Sequence, residues 1–395
     1  MFPVLGGTRR RGPRPPHVLP PVLLCLLLCV PLAGCGSGSP AASGSASASA
    51  SVGPVEQDVR RAVADWSAAP PAALAAIPLE GWSYEVSAVR VDGVRAIARA
   101  ELRYRLTGYD AAPAGSAREV ELARGGGSWA VTADRPAPGA LPQLWDQGPV
   151  SVERGAHALV LGGAGQSSGS LSAIAAEADK AVPAASAAWP RPWAGRVVVL
   201  VPGSLDAMAA LLGRPADEYR GLGAVTTGRT GAGPAPADRV VVNPEGYGQL
   251  TAEGRQVILT HETTHVATRA VTTSRTPLWL SEGFADWAAY RDSARTPAEV
   301  APSLARAVRQ GDLPVTLPEP GAFAFGGDPD ALARAYEGSW LACRLIAGRW
   351  GDTALVSLYE RSGRDSLPTA LEYTLGTDPA ALTRAWQQAL TRELR

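Results

Sequence analysis

VILTHETTHV, residues 257–266, places two histidines and one glutamate inside an apolar, threonine-rich run. On a helix, His261 and His265 project about 40° from each other, so both imidazoles can reach one metal ion. A helical His-Glu-x-x-His pattern is typical of zinc sites in which the glutamate takes a proton from a zinc-activated water. The run therefore predicts a buried helix with two zinc ligands, His261 and His265, and a general base, Glu262.

A second segment, TPLWLSEGFADWAAY at 276–290, has the features of another helix, with Thr276 suited to cap its N-terminus. Glu282 offers a third ligand from this separate helix. Three protein ligands leave the fourth zinc position open, as in catalytic rather than structural sites. Asp286 follows one turn later on the same face, where it can accept a hydrogen bond from the second ring nitrogen of His261.

HETTH followed by PLWLSEGFADW resembles the gluzincin metallopeptidases, specifically the peptidase-MA-like domains related to the aminopeptidase and thermolysin clans. The resemblance covers 148–395 and is strongest over 257–290. It implies an α+β, zincin-like catalytic domain with a mixed sheet lobe and a helical lobe. It also implies one Zn²⁺ per chain and the hydrolysis of peptide or protein substrates. The residues that it assigns are the ligands His261, His265 and Glu282 and the general base Glu262.

The same family often has a tyrosine further along the chain that stabilises the oxyanion. AYEGSWLACRLIAGRWG at 335–351 resembles that segment, which implies this role for Tyr336, with Tyr290 as the alternative. The sequence lacks the Gly-x-Met-x-Asn strand and the following lysine of the aminopeptidases, so their specificity is not expected here. His157 lies far upstream and is expected to be structural. The strand at 239–244 is expected to be a sheet edge that pairs with extended substrate.

The pattern upstream of the histidine motif predicts a mixed sheet with helices, and after Thr251 the pattern is almost entirely helical. TTGRTGAGPAPAD at 226–238 is rich in glycine and proline and is expected to be a loop. The expected strands are GAHALVLGG at 155–163, RVVVLVP at 196–202 and RVVVNP at 239–244, and the expected helices are LSAIAAEADKAV at 171–182 and SLDAMAALLG at 204–213.

Residues 55–145 are expected to form a small domain of one helix and an antiparallel sheet. VEQDVRRAVADW at 55–66 has helical spacing, and the dipeptide at 92–93, Asp-Gly, joins two strand patterns as a hairpin. This combination resembles the nuclear-transport-factor-like domains in topology. One strand alternates cleanly, and its polar side carries arginines that we expect to face solvent: Arg95, Arg99, Arg103 and Arg105.

The N-terminus resembles a bacterial lipoprotein signal peptide over residues 1–34. Arginines precede a 15-residue apolar core at 18–32, which is shorter than the roughly 20 residues of a spanning helix. Leu-Ala-Gly-Cys at 32–35 resembles a lipobox, which implies cleavage before Cys35 and lipid on its sulfur. Residues 35–54 are a Gly/Ser/Ala-rich tether. The expected location is the extracytoplasmic face of a bacterial cell membrane.

Composition excludes several other classes. The chain of 395 residues has 37 basic and 37 acidic residues, and removal of a signal with four arginines leaves 37 − 4 = 33 basic residues, a net charge of −4. This balance argues against a nucleic-acid partner. A 46% hydrophobic content is too high for a disordered chain. Cys343 would be the only free thiol of the lipidated protein, which excludes an internal disulfide.

Two alternatives to a peptidase remain open from the sequence. One is a degenerate peptidase fold used as a binding or sensing lipoprotein, and the other is an envelope scaffold without zinc. Glu262 argues against a pure binding protein, because binding alone has no need of a general base.

Overall fold

The computed structural model describes residues 26–28, 53–228, 237–324 and 328–395, and these form an α+β structure. An antiparallel sheet, a mixed sheet and a group of helices follow one another along the chain, which confirms the coarse fold class expected from the sequence. Within the described ranges, no helix has both the length and the apolar character needed to cross a membrane.

The antiparallel sheet has the strand order β2-β3-β4-β5 and is covered by one helix. The expected hairpin at Asp92 is confirmed, because Asp92 pairs with Arg95 across the turn and Gly93 has a φ of +57°. Burial alternates along β3, with the arginine side chains on the more exposed face. The first elements are β1 (Leu26–Leu28), α1 (Pro54–Trp66), β2 (Leu79–Asp92), β3 (Arg95–Leu106), β4 (Ala114–Gly125) and β5 (Ser128–Pro136), with a 3-10 helix at Ala72–Leu74.

The mixed sheet follows in the chain and has the strand order β1-β9-β10-β8-β7-β6. Its parallel pairs are β1 with β9, β10 with β8, and β7 with β8, whereas β9 with β10 and β6 with β7 are antiparallel. The next elements are β6 (Ser151–Arg154), β7 (Ala158–Gly162), α2 (Ser168–Ala188), β8 (Val197–Val201), α3 (Leu205–Leu212), β9 (Ala224–Thr227) and β10 (Arg239–Val242), with 3-10 helices at Leu144–Gln147 and Ala216–Tyr219.

Two predictions for this sheet are wrong. The strand Arg239–Val242 is not an edge, because it pairs on one side with β8 and on the other with β9. The expected loop at 226–238 begins too early, since Thr226 and Thr227 belong to β9. A four-residue strand gains its stability from pairing with β10 and from packing, and neither is visible in a short local pattern.

The remainder of the chain is helical, as expected. One apolar core includes Phe284, Trp340, Tyr359 and Trp386 and joins the helices that follow the mixed sheet. These helices are α4 (Pro244–Gly248), α5 (Ala252–Thr268), α6 (Leu278–Tyr290), α7 (Pro297–Val300), α8 (Pro302–Arg309), α9 (Pro329–Trp350), α10 (Asp352–Ser362), α11 (Leu367–Leu375) and α12 (Pro379–Leu394), with a 3-10 helix at Pro320–Phe323.

The antiparallel sheet is joined to the mixed sheet by a shared core and by a buried ion pair. Leu106 of β3 packs in one apolar cluster with Leu159 of β7 and Val198 of β8. Asp110, which follows β3, accepts two hydrogen bonds of 2.8 Å from the guanidinium of Arg239 in β10. The two sheets therefore form one continuous structure.

Candidate metal centre

Helix α5 carries the histidine motif through the interior of the molecule. Thr251 caps it by accepting a hydrogen bond of 3.1 Å from the N–H of Gly254. Ile258 and Leu259 pack against the mixed sheet. Three of the buried threonine hydroxyls donate to backbone carbonyls one turn earlier, among them Thr264 to the carbonyl of residue 260 at 2.7 Å. These hydrogen bonds replace those that the three hydroxyls lose to water on burial.

Helix α6 lies beside α5 and brings the second predicted segment, 276–290, next to the histidine motif. The expected N-cap is wrong by one residue: Pro277 occupies the N-cap position, whereas the hydroxyl of Thr276 accepts a hydrogen bond from the N–H of Thr273 in the preceding turn. Gly283 lies where α6 touches α9. A Cβ at this glycine would stand 2.2 Å from the carbonyl oxygen of Ser339, so the close approach requires glycine.

Three side chains converge between these helices. The Nε2 atoms of His261 and His265 are 2.9 Å apart. Oε2 of Glu282 lies 3.3 Å from Nε2 of His261 and 3.5 Å from Nε2 of His265. The ligand atoms of the three residues all lie within 4.8 Å of one another, and all three side chains are buried. The structure thus brings together the three residues that the sequence predicted as ligands.

The chemistry of this cluster fits a metal ion. Asp286 accepts a hydrogen bond at Oδ1 from Nδ1 of His261 at 2.7 Å, as predicted, so the neutral ring would present the lone pair of Nε2 to a metal ion. Oε2 of Glu282 is buried and makes no hydrogen bond despite the two nearby imidazoles. Buried lone pairs that face one another repel unless a cation or a proton lies between them. Two imidazoles and one carboxylate are ligands that zinc prefers.

The charges of the ligands in the metal-free protein differ. Burial is the largest single influence on the pKa of His261 and lowers it, but the carboxylate of Asp286, together with those of Glu282 and Glu262, outweighs burial and raises this pKa to about 10. Burial lowers the pKa of His265 to about 4, partly opposed by Glu282. Burial raises the pKa of Glu282, but the two imidazoles outweigh this and lower it to about 2. The cluster therefore carries a protonated His261, a neutral His265 and an ionised Glu282 at neutral pH.

Glu262 lies fully buried on α5 next to the first ligand. Its carboxylate oxygen Oε2 accepts a hydrogen bond of 2.6 Å from the hydroxyl of Thr226 in β9. Thr226 is a site residue that the sequence did not predict, because the Gly/Pro-rich pattern that begins there indicated a loop. The β-branched run at 224–227, Ala-Val-Thr-Thr, was the available signal for a strand.

The two candidate tyrosines, Tyr336 and Tyr290, line one cavity together with Asp286. Tyr336 is buried, and its ring packs edge-on against Phe323 with 5.3 Å between centroids. Tyr290 packs against Trp340 at 5.8 Å. This arrangement does not distinguish between the two tyrosines, and the assignment of the oxyanion role to Tyr336 stays a prediction.

Other predicted features lie away from the centre or outside the described residues. His157 is exposed immediately before β7, and its backbone N–H donates to Asp179. Cys343 is buried in α9 as a free thiol. The predicted lipidation site Cys35 and the tether at 35–52 lie outside the described residues. Of the predicted signal peptide, only Leu26–Leu28 is described, as the strand that pairs with β9.

Comparisons with known proteins leave the function to be inferred from this centre. No protein-family model matches the chain, and no curated protein matches it either. The buried His₂Glu cluster and the adjacent Glu262 are therefore the observations from which a function can be inferred.

Proposed function

We propose that the protein is a zinc-dependent peptidase. The observation that carries this proposal is the buried convergence of His261, His265 and Glu282 beside the carboxylate of Glu262. Three ligands from two helices are the set used by catalytic zinc sites, which keep one position for water or substrate. Asp286 supports the set by fixing the ring orientation and tautomer of His261.

Each residue has a defined part in peptide hydrolysis. His261, His265 and Glu282 would hold a zinc ion, which would supply Lewis-acid polarisation to the peptide carbonyl and to the attacking water. Glu262 accepts the proton of that water and returns it to the leaving amine. A tyrosine hydroxyl, from Tyr336 or alternatively Tyr290, donates to the developing oxyanion. The burial of the centre keeps bulk water from screening these interactions.

The resemblance to the gluzincin peptidase-MA-like domains supports the same proposal, with the catalytic domain at 148–395 and the nuclear-transport-factor-like domain at 55–145. Substrate pairing was expected at 239–244, but that strand is internal.

We further propose that the protein is held on the extracytoplasmic face of a bacterial cell membrane through lipid on Cys35. Several acyl chains on one cysteine give stable anchoring, because each buried CH₂ contributes about 0.8 kcal/mol. The Gly/Ser/Ala-rich tether at 35–54 would hold the folded part away from the lipid surface.

Glu262→Gln tests the proposed function. We expect the variant to retain about one zinc per chain, because Glu262 is not a ligand, and to lose peptide cleavage by about 10²–10⁴-fold, because it lacks the base. Zinc is measured by elemental analysis, and cleavage is measured with a labelled, unfolded protein substrate. His265→Ala is the control that loses the metal.

Two results would contradict the proposal. Well-folded wild-type protein that takes up no zinc after reconstitution would exclude a metal centre. Cleavage by Glu262→Gln at the wild-type rate would remove Glu262 from the mechanism.

A further inference from the structure

The strand next to the active-site helix presents one threonine to the general base. Along β9, Ala224 and Thr226 point to the same side of the sheet, because side chains alternate in a strand. Ala224 packs in the apolar cluster that contains Ile258 and Leu259 of α5. Thr226 is fully buried on this side and faces α5.

The hydroxyl of Thr226 has two acceptors within reach, both on one residue. Its Oγ1 lies 2.6 Å from Oε2 of Glu262 and 3.1 Å from the backbone carbonyl oxygen of the same residue. A hydroxyl carries one proton and donates to one acceptor at a time. The shorter distance is that of a charge-assisted O–H···O⁻ bond, so the carboxylate is the acceptor.

We propose that Thr226 is a positioning residue that holds the carboxylate of Glu262 in its working orientation, an inference that rests on the peptidase function proposed above. The glutamate side chain has three rotatable bonds and can reorient. Thr226, by contrast, is held in β9, which is paired with β1 on one side and with β10 on the other. Because the Thr226 hydroxyl holds Oε2 of Glu262, the other carboxylate oxygen, Oε1, is the one that would take the proton from water. A base that is displaced by a fraction of an ångström loses much of its rate advantage.

The kinetic test compares Thr226→Val with Thr226→Ser. Valine keeps the shape of the side chain and removes the donor, whereas serine keeps the donor and removes a methyl group. We expect Thr226→Val to lower kcat by about 10- to 100-fold, with KM within about threefold of wild type and zinc content unchanged. Thr226→Ser should recover most of the lost kcat.

The adjacent Thr227 provides a matched control. It points to the other side of the strand, where its hydroxyl donates to the carbonyl of Arg239 at 3.3 Å. Thr227→Val removes the same hydroxyl from the same strand and should leave kcat unchanged. Unaltered kcat in Thr226→Val, or an equal loss in Thr226→Ser, would overturn the proposal.

A double-mutant cycle on stability tests the bond without any need for activity. In wild type, Thr226→Val should increase the unfolding equilibrium constant by about tenfold or more, because the buried carboxylate of Glu262 loses the hydroxyl that donates to it. In a Glu262→Met background the same change should alter it by less than about threefold. Equal effects in both backgrounds would overturn the proposal. If wild type holds zinc but cleaves no peptide, the peptidase function fails, and this cycle still decides whether Thr226 holds Glu262.

Discussion

Among the three proposed ligands, His261 has a protonation state that is set by neighbouring carboxylates. Asp286, together with Glu282 and Glu262, outweighs the effect of burial and raises the pKa of His261 to about 10, so without a metal ion the imidazole is protonated at neutral pH. Zinc binds only the neutral ring and must displace that proton. His265 is already neutral and Glu282 already ionised, because their pKa values are lowered to about 4 and about 2.

We therefore predict that zinc binding at pH 7 releases about one proton per ion. The apparent affinity should rise by about tenfold per pH unit as pH increases, up to the pKa of His261. Calorimetric titration in buffers of different ionisation enthalpy gives the number of protons released. Asp286→Asn is the control: loss of the Asp286 charge should lower the pKa of His261, so fewer protons should be released than in wild type. Zero release in wild type would show that His261 is neutral before the metal binds.

Helix α6 can reach the centre only because one of its residues lacks a side chain. At Gly283 a Cβ would stand 2.2 Å from the carbonyl oxygen of Ser339 and 3.0 Å from Sγ of Cys343. The backbone of α9 cannot yield as a flexible side chain would. Glu282 precedes this glycine, so a shift of α6 away from α9 moves a proposed ligand.

Gly283→Ala should therefore destabilise the protein by about 1–3 kcal/mol through overpacking and weaken zinc binding. Gly348→Ala in the last turn of α9 is the matched control, because a Cβ there meets nothing within 4 Å. That change should stabilise by up to about 1 kcal/mol, the propensity advantage of alanine in a helix. Urea unfolding and a zinc-binding titration measure both effects. Similar behaviour of the two variants would show that the contact between α6 and α9 adapts without cost.

Local chemistry explains why some elements could be predicted from sequence and others could not. Helices α5 and α6 are 17 and 13 residues long and carry their signals within their own sequence, HETTH at 261–265 and LSEGFADW at 280–287, so both helices and the proposed ligand set were predictable. Strand β9 has four residues, beside a Gly/Pro-rich segment. Its existence depends on pairing with β10, and the contact of Thr226 with Glu262 spans 36 positions. Non-local contacts of this kind leave no local pattern.

In the molecule as a whole, the N-terminal sheet is tied to the mixed sheet by Asp110. This carboxylate is fully buried and accepts from both guanidinium nitrogens of Arg239 and from the N–H groups of Leu106 and Ala237. The alternating pattern of β3 predicted that its arginines face solvent. The ion pair between Asp110 and Arg239 could not be predicted in the same way, because the two residues are 129 positions apart. The sheets should therefore unfold together.

Asp110→Ala should lower the free energy of unfolding by about 3–5 kcal/mol, because it leaves the guanidinium of Arg239 buried without its counter-ion. Glu85→Ala is the matched control: its ion pair with Arg103, on the exposed side of the same sheet, has both side chains about half exposed or more, at 62% and 48%. Loss of this ion pair should lower the free energy of unfolding by less than about 1 kcal/mol. Urea unfolding followed by tryptophan fluorescence should show one transition in wild type. Two separate transitions in wild type, or equal costs in the two variants, would show that the sheets are stabilised independently and that Asp110 does not couple them.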